Sequence, residues 1–344
     1  MYVKKNYSIR VLLFTSGHHF LWLIPYVLLT ATLYQFTALR EFSIPWLPLS
    51  LIGTTVAFYV GFKNNQAYDR FWEARTIWGG IVNSSRMWGS NIKAFVIHPD
   101  PENAEEEIVY QIKKVIIYRH IAWLFQLRKQ LLEPAAWEHQ SLKGPYGKEA
   151  RRRRQKLGLD LFGDDITAKQ LLKYLTEADY KVLPSYKNAA VQLIDLQSQE
   201  LAKLRKTGHL GDFEHIALQS ILNDFYEHQG KAERIKKTPF PRQFASFGFI
   251  LVCLFVGMLP FGFFSEFTKI GAYGIWLAVP FTVLIGWVYV VMELVGDYSE
   301  NPFEGLTNDV PLLSISRNIE IDLLQQLGIT DLPEPIQAVN YVLL

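Results

Sequence analysis

The chain has 344 residues, 49% of them hydrophobic and 20% charged, with a formal net charge of +2. So small a charge argues against nucleic acid as a partner. The single cysteine, Cys253, sits in an apolar run, so no disulfide framework exists and no redox compartment can be read from it.

Four apolar stretches reach the roughly 20 residues that cross a bilayer at about 1.5 Å each. The first, residues 11–36, contains Pro25, which removes one helix hydrogen bond and favours a kink. No small-residue cleavage site follows a short apolar core, so the stretch reads as a span rather than a signal peptide. His18 and His19 lie near its start. Neighbours on a helix face different ways, so a shared metal is not expected.

The second stretch, residues 44–62, passes into a polar, aromatic-rich continuation with no proline at the junction. A membrane helix is therefore expected to leave the bilayer and run straight on into a water-exposed helical region. Ser50, Thr54 and Thr55 sit among its Leu and Ile residues. Against lipid their hydroxyls gain nothing, whereas a span lining a narrow passage can use them.

Residues 63–240 read as helical. Helix-period apolar spacing recurs at Ile108, Ile112, Val115 and Ile116, at Val191, Ile194, Leu201 and Leu204, and at Ile216, Leu218, Ile221, Leu222 and Phe225. Residues 133–165, with Pro134, Gly144, Pro145 and Gly147, predict a long loop. Its Arg151, Arg152, Arg153 and Arg154 suit either anionic headgroups or, the more ordinary reading, a solvated charge cluster.

The third and fourth apolar stretches are residues 244–264 and 273–295. Glu293 and Asp297, four apart at the end of the fourth, share a helix face as a cation site or as partners for Lys or Arg; the second is favoured, because a carboxylate there reaches water. Trp22, Tyr26, Trp46, Trp276 and Trp287 suit interfacial anchoring or packing equally. Lys4, Lys5 and Arg10 precede the first span, Lys63, Arg70, Arg75 and Arg86 follow the second, and Lys231, Arg234, Lys236, Lys237 and Arg242 precede the third. The outer connections carry only Arg40 and Lys269. The positive-inside rule then puts both termini and the central region of a multi-pass membrane protein in the cytoplasm. The expected fold is an all-α membrane protein with four transmembrane helices and a large helical cytosolic region. It divides into residues 1–62, 63–240, 241–296 and 297–344.

No Gly-rich phosphate loop, His-Glu-x-x-His, Cys-x-x-Cys or serine elbow occurs. The reading is therefore of a non-enzyme with no catalytic residues, no cofactor and no metal site.

The run Lys63-Asn64-Asn65-Gln66-Ala67-Tyr68-Asp69-Arg70-Phe71-Trp72-Glu73-Ala74-Arg75, followed by Trp78-Gly79, resembles the signature of the bacterial bestrophin homologues. Pro48-Leu49-Ser50 is similar to the Pro-x-Ser that opens the second span in that family. Glu233-Arg234-Ile235, with Thr238-Pro239-Phe240-Pro241 after it, is similar to the entry to the third span, and Asn301-Pro302-Phe303 to the family's Asn/Asp-Pro-Phe element.

The resemblance implies a homopentameric channel with one central pore, a membrane neck made by the second span and a cytosolic vestibule made by the middle region. Aligning the Pro-x-Ser elements places the family's three neck positions on Leu47, Leu51 and Thr55, whose spacing of four keeps them on one helix face. The family usually has large apolar residues at all three, so Thr55 implies a wider or wetter innermost ring. The cytosolic constriction carries over to Ile216. Helix-packing core is the alternative role for all four residues. Animal members bind calcium through an acidic cluster after the Asn-Pro-Phe element. Here Glu304-Gly305-Leu306-Thr307-Asn308-Asp309 lacks most of those side chains, so a calcium clasp of that type is not expected.

The expected function is passive permeation of small inorganic ions, chiefly anions such as chloride, through a homo-oligomer embedded among membrane lipids. The alternatives are a cation (sodium or potassium) channel on the same scaffold, a carrier with an ion site near Glu293, and a membrane scaffold without channel activity.

Overall fold

A computed structural model of the chain describes residues 1–100, 106–156, 165–271 and 273–344. Twelve α-helices and short 3-10 turns form them, and the only β pairing among the described residues is two isolated bridges, Tyr2 with Val342 and Val339 with Val342. The chain divides into two compact units.

One unit comprises Lys4–Arg70 and Pro239–Asn301. It holds α1 (Ile9–Ser16), α2 (Phe20–Phe36), the start of α3 (Trp46–Phe95), α10 (Arg242–Phe267) and α11 (Gly274–Asp297). A 3-10 turn over Gly17–His19 separates α1 from α2 and brings the His18 and His19 ring centroids to 3.9 Å, with their planes tilted by 40°. Pro25, Pro260 and Pro280 lie inside helices, as membrane helices tolerate. The core joins Leu23, Val27 and Ala31 of α2, Leu49, Val56 and Val60 of α3, Phe255, Leu259 and Phe264 of α10, and Ile275 and Ala278 of α11. Trp46 packs edge-to-face on Phe263, and Phe20 stacks on Trp287.

Among the described residues, three helical segments are long and apolar enough to cross a membrane: Gly17–Phe36, Arg242–Ile270 and Gly274–Asp297. The second expected span is not a helix of its own. It is the first third of α3, an unbroken helix of 50 residues and so about 75 Å long. Pro48, Ser50, Gly53, Thr54 and Thr55 dilute its apolar character.

The other unit comprises Met1–Val3, Phe71–Thr238 and Pro302–Leu344. It contains the rest of α3, α4 (Glu106–Leu132), α5 (Pro145–Lys156), α6 (Asp165–Tyr174), α7 (Glu177–Val182), α8 (Ala189–Lys206), α9 (Asp212–Lys237) and α12 (Leu312–Gln326). Trp78 and Trp88 of α3, Trp123 of α4 and Phe225 of α9 are buried at its centre. His120 is sandwiched among Trp88, Trp123 and Phe225. Burial pushes its imidazole down to about 3, and it shares a 3.0 Å hydrogen bond with the Ser85 hydroxyl.

The expected loop over residues 133–165 is corrected in part: it contains a 3-10 turn, His139–Ser141, and the helix α5. Pro145 is the first residue of α5, where a missing N–H costs nothing. The run of charge that follows carries no apolar period for a core, which is why it read as irregular. Arg151 donates to the Gln140 carbonyl and Arg152 is exposed. The side chains of Arg153 and Arg154, and residues 157–164, lie outside the described residues.

Candidate functional site: the exposed face of α3

On α3 the residues Leu47, Leu51 and Thr55 share one face. Leu47 is 71% exposed, Leu51 62%, and Thr55 is exposed as well. The hydroxyls beside them are satisfied within the helix: Ser50 Oγ donates to Leu47 O at 2.8 Å, Thr54 Oγ1 to Ser50 O at 3.0 Å and Thr55 Oγ1 to Leu51 O at 2.9 Å. The face they leave is apolar and uncharged.

The opposite face is seated in the unit. Leu49, Val56 and Val60 are buried, and Tyr289 Oη donates to Gly53 O at 2.9 Å. Glycine is required there for close approach, since a Cβ on Gly53 would lie 2.8 Å from the Phe255 ring. A Cβ on Gly262 would collide with Leu49 in the same way. α10 and α11 thus grip one side of α3 and leave the other uncovered.

An ion pair completes the grip. Lys63, 1% exposed, donates from Nζ to Glu293 Oε1 of α11, and Asn64 Nδ2 donates to Met292 O at 3.0 Å. Of the two sequence readings of Glu293, the structure brings out pairing with a lysine, but not for the reason expected: the carboxylate is buried rather than in reach of water. Two glycines make room: a Cβ on Gly248 would stand 3.1 Å from Glu293 Oε2, and one on Gly296 would collide with Asn64. Lys63 and Glu293 stand apart in the sequence and meet only in the fold. A lone lysine and a lone glutamate each at the edge of an apolar stretch were the available signal, because intramembrane charges pair.

Ile216 lies in the other unit, on α9, and is 65% exposed, while Leu218, Ile221 and Leu222 on the same helix are buried. It therefore stands off its unit's core. The structure brings Leu47, Leu51 and Thr55 together, with Ile216 on a separate element.

The segment after α11 is held by buried charge. Phe303 adopts a left-handed φ of 69°, unusual for a side chain of that size. Asp309 offsets this by accepting N–H bonds from Phe303 at 2.9 Å, Gly305 at 2.7 Å and Val310 at 2.7 Å. Glu304 Oε2 lies 3.0 Å from His139 Nδ1. Lys236 Nζ lies 2.5 Å from Glu138 Oε1 and donates to Phe303 O at 3.2 Å. Burial outweighs attraction in this pair: it raises the Glu138 carboxyl from its ordinary value to about 7 and lowers the Lys236 ammonium. Both acidic side chains of the 304–309 stretch are thus engaged by protein partners.

The model of the family described as Bacterial/Fungal Bestrophin protein matches residues 2–325. The voltage-dependent anion channel-forming protein YneE of Escherichia coli (strain K12) is 28% identical over 290 residues, which is 84% of this chain and 79% of that protein. The voltage-dependent anion channel-forming protein mll4386 of Mesorhizobium japonicum is 25% identical over 284 residues, 82% of this chain and 75% of its own length. Among solved structures, a bacterial bestrophin homolog from Klebsiella pneumoniae superposes with a TM-score of 0.69 at 21% identity, covering 90% of this chain and 97% of that one. At that identity the superposition speaks to the fold.

Proposed function

The chain belongs to the bacterial and fungal bestrophin family, and from that premise we propose that it forms an anion channel, conducting chloride through a pore that several copies of α3 line. The observation that carries this reading is the uncovered, uncharged face of a helix whose other side is clamped by packing, glycines and a buried ion pair. The choice of anions rests on the names of the relatives, which form voltage-dependent anion channels. The cation alternative has no such support.

In this reading residues 46–62 are a fourth span, and Leu47, Leu51 and Thr55 form rings at the neck. Apolar rings oppose ion passage by dewetting and by width. Selectivity for sign then comes from the fields on either side, including helix ends and vestibule charge. Ile216 forms a second constriction from the helical unit. A pentamer, with both termini and that unit on the cytoplasmic side of the inner membrane, is supported by the family resemblance and by the bias of Lys and Arg toward those segments. A carrier built on Glu293 is disfavoured because Lys63 already occupies that carboxylate.

The test is chloride efflux from vesicles holding the purified protein, with wild type and Leu51→Ala compared. Wild-type vesicles should lose chloride faster than empty ones, and Leu51→Ala faster still. No efflux from either protein would favour the scaffold, and equal rates would remove Leu51 from the barrier.

A further inference from the structure

The exposed stripe on α3 does not stop at Thr55. Phe58 is 66% exposed and Phe62 52%, and their rings meet edge-to-face with centroids 4.5 Å apart. At about 100° per residue, and taking Leu47 as zero, Leu51 falls near 40° and Thr55 near 80°, while Phe58 falls near 20° and Phe62 near 60°. Both phenylalanines therefore lie inside the arc set by the three neck residues. The buried residues of the same stretch, Val56, Val60 and Lys63, lie outside it. Beyond Phe62 the stripe continues without losing exposure into Asn65, Asp69 and Trp72.

Thr55 is a poor barrier at its level. Its side chain is short, and its hydroxyl turns back to the Leu51 carbonyl. One turn further along, Phe58 carries a large ring on the same face, and Phe62 holds that ring from the next turn. Mutual contact fixes both side chains, as a narrow constriction needs, since loose side chains would spread the opening over many widths.

We infer that Phe58 and Phe62 form the inner barrier of the pore, which in this chain is displaced inward from Thr55 onto a phenylalanine pair. The inference rests on the reading that α3 lines the pore, and it adds two residues that set the channel's width. Leu47 and Leu51 then form the outer barrier, with Thr55 as the wider level between the two.

The experiment is current through the full-length protein in planar bilayers for wild type, Leu51→Ala, Phe58→Ala, Phe62→Ala and, as an off-face control, Ile52→Ala. Phe58→Ala should raise conductance roughly threefold or more, Phe62→Ala should raise it less, and Ile52→Ala should leave it unchanged. A second measurement guards against misfolded variants. In a Cys253→Ser background, Phe58→Cys and Phe62→Cys are treated with a negatively charged thiol reagent, and current should fall as each thiol is modified. Wild-type current that responds to Leu51→Ala, with both phenylalanine positions silent in both measurements, would overturn this inference and leave the pore reading intact. Wild-type current indifferent to every α3 substitution would overturn both. A response at the phenylalanines without one at Leu51 would support the inference and remove the outer ring instead.

Discussion

Removing the Glu293 charge tests how α3 is held. Lys63 is 1% exposed, and Glu293 Oε1 is the partner of its ammonium. Glu293→Gln leaves that ammonium buried with only an amide to meet it. Breaking a buried pair from one side costs about 3–5 kcal/mol. For a body of this size about 1 kcal/mol moves the midpoint by roughly 3 °C, so the expected fall in Tm is on the order of 10 °C. Lys63→Met combined with Glu293→Met removes both charges and keeps the volume, and it should recover most of the loss, to within about 1–2 kcal/mol of wild type. The assay is a thermal ramp on the detergent-solubilised protein, read by size-exclusion elution. A fall below about 2 °C for Glu293→Gln, or a double variant whose loss equals the sum of the two single losses, would refute the claim that this pair is dry and coupled.

Three further outcomes follow from the same geometry. Gly53→Ala should destabilise by about 1–3 kcal/mol, because its Cβ meets the Phe255 ring, whereas Gly61→Ala, with nothing within 4 Å of its Cβ, should be neutral or gain up to about 1 kcal/mol of helix propensity; thermal ramps on both variants check this. The Glu138 carboxyl is raised from 4.5 to about 7, so the native state holds this proton more tightly than the unfolded chain does; the stability it contributes is fully present below pH 4.5 and is lost as pH rises to about 7. The Tm of wild type minus that of Glu138→Gln should accordingly shrink as pH rises through that window, and a difference that grows would reverse the assigned sign. Gln229→Leu should cost about 1–3 kcal/mol by leaving the buried Trp123 Nε1–H without its 3.0 Å acceptor, as a denaturant midpoint would report.

Much of this fold is legible in the sequence because helices write their period into it. The apolar spacing through Ile216, Leu218, Ile221, Leu222 and Phe225 corresponds to α9, and the proline-free run after residue 62 to the unbroken α3. Helix α12 is not among the expected elements, although Leu312, Ile315, Ile319 and Leu323 carry a helical period. Helix α5 is not among the expected elements because it is dominated by Lys and Arg and has no apolar period, with only Pro145 to mark its start. On the candidate site, Leu47, Leu51 and Thr55 come from the family resemblance, and their spacing of four is consistent with a shared helix face. The clamp behind them is not legible in the sequence. Lys63 and Glu293 stand 230 positions apart, and a pairing over that distance leaves no trace in local pattern. Phe58 and Phe62 carry no signal of their own in the sequence: in an apolar span a phenylalanine reads as ordinary until its exposure is known.

Anion conduction is the activity proposed for this chain. Its most direct test is the reversal potential of the purified protein in a planar bilayer under a NaCl gradient. A shift toward the chloride equilibrium potential is expected, and a shift toward the sodium potential would contradict anion conduction.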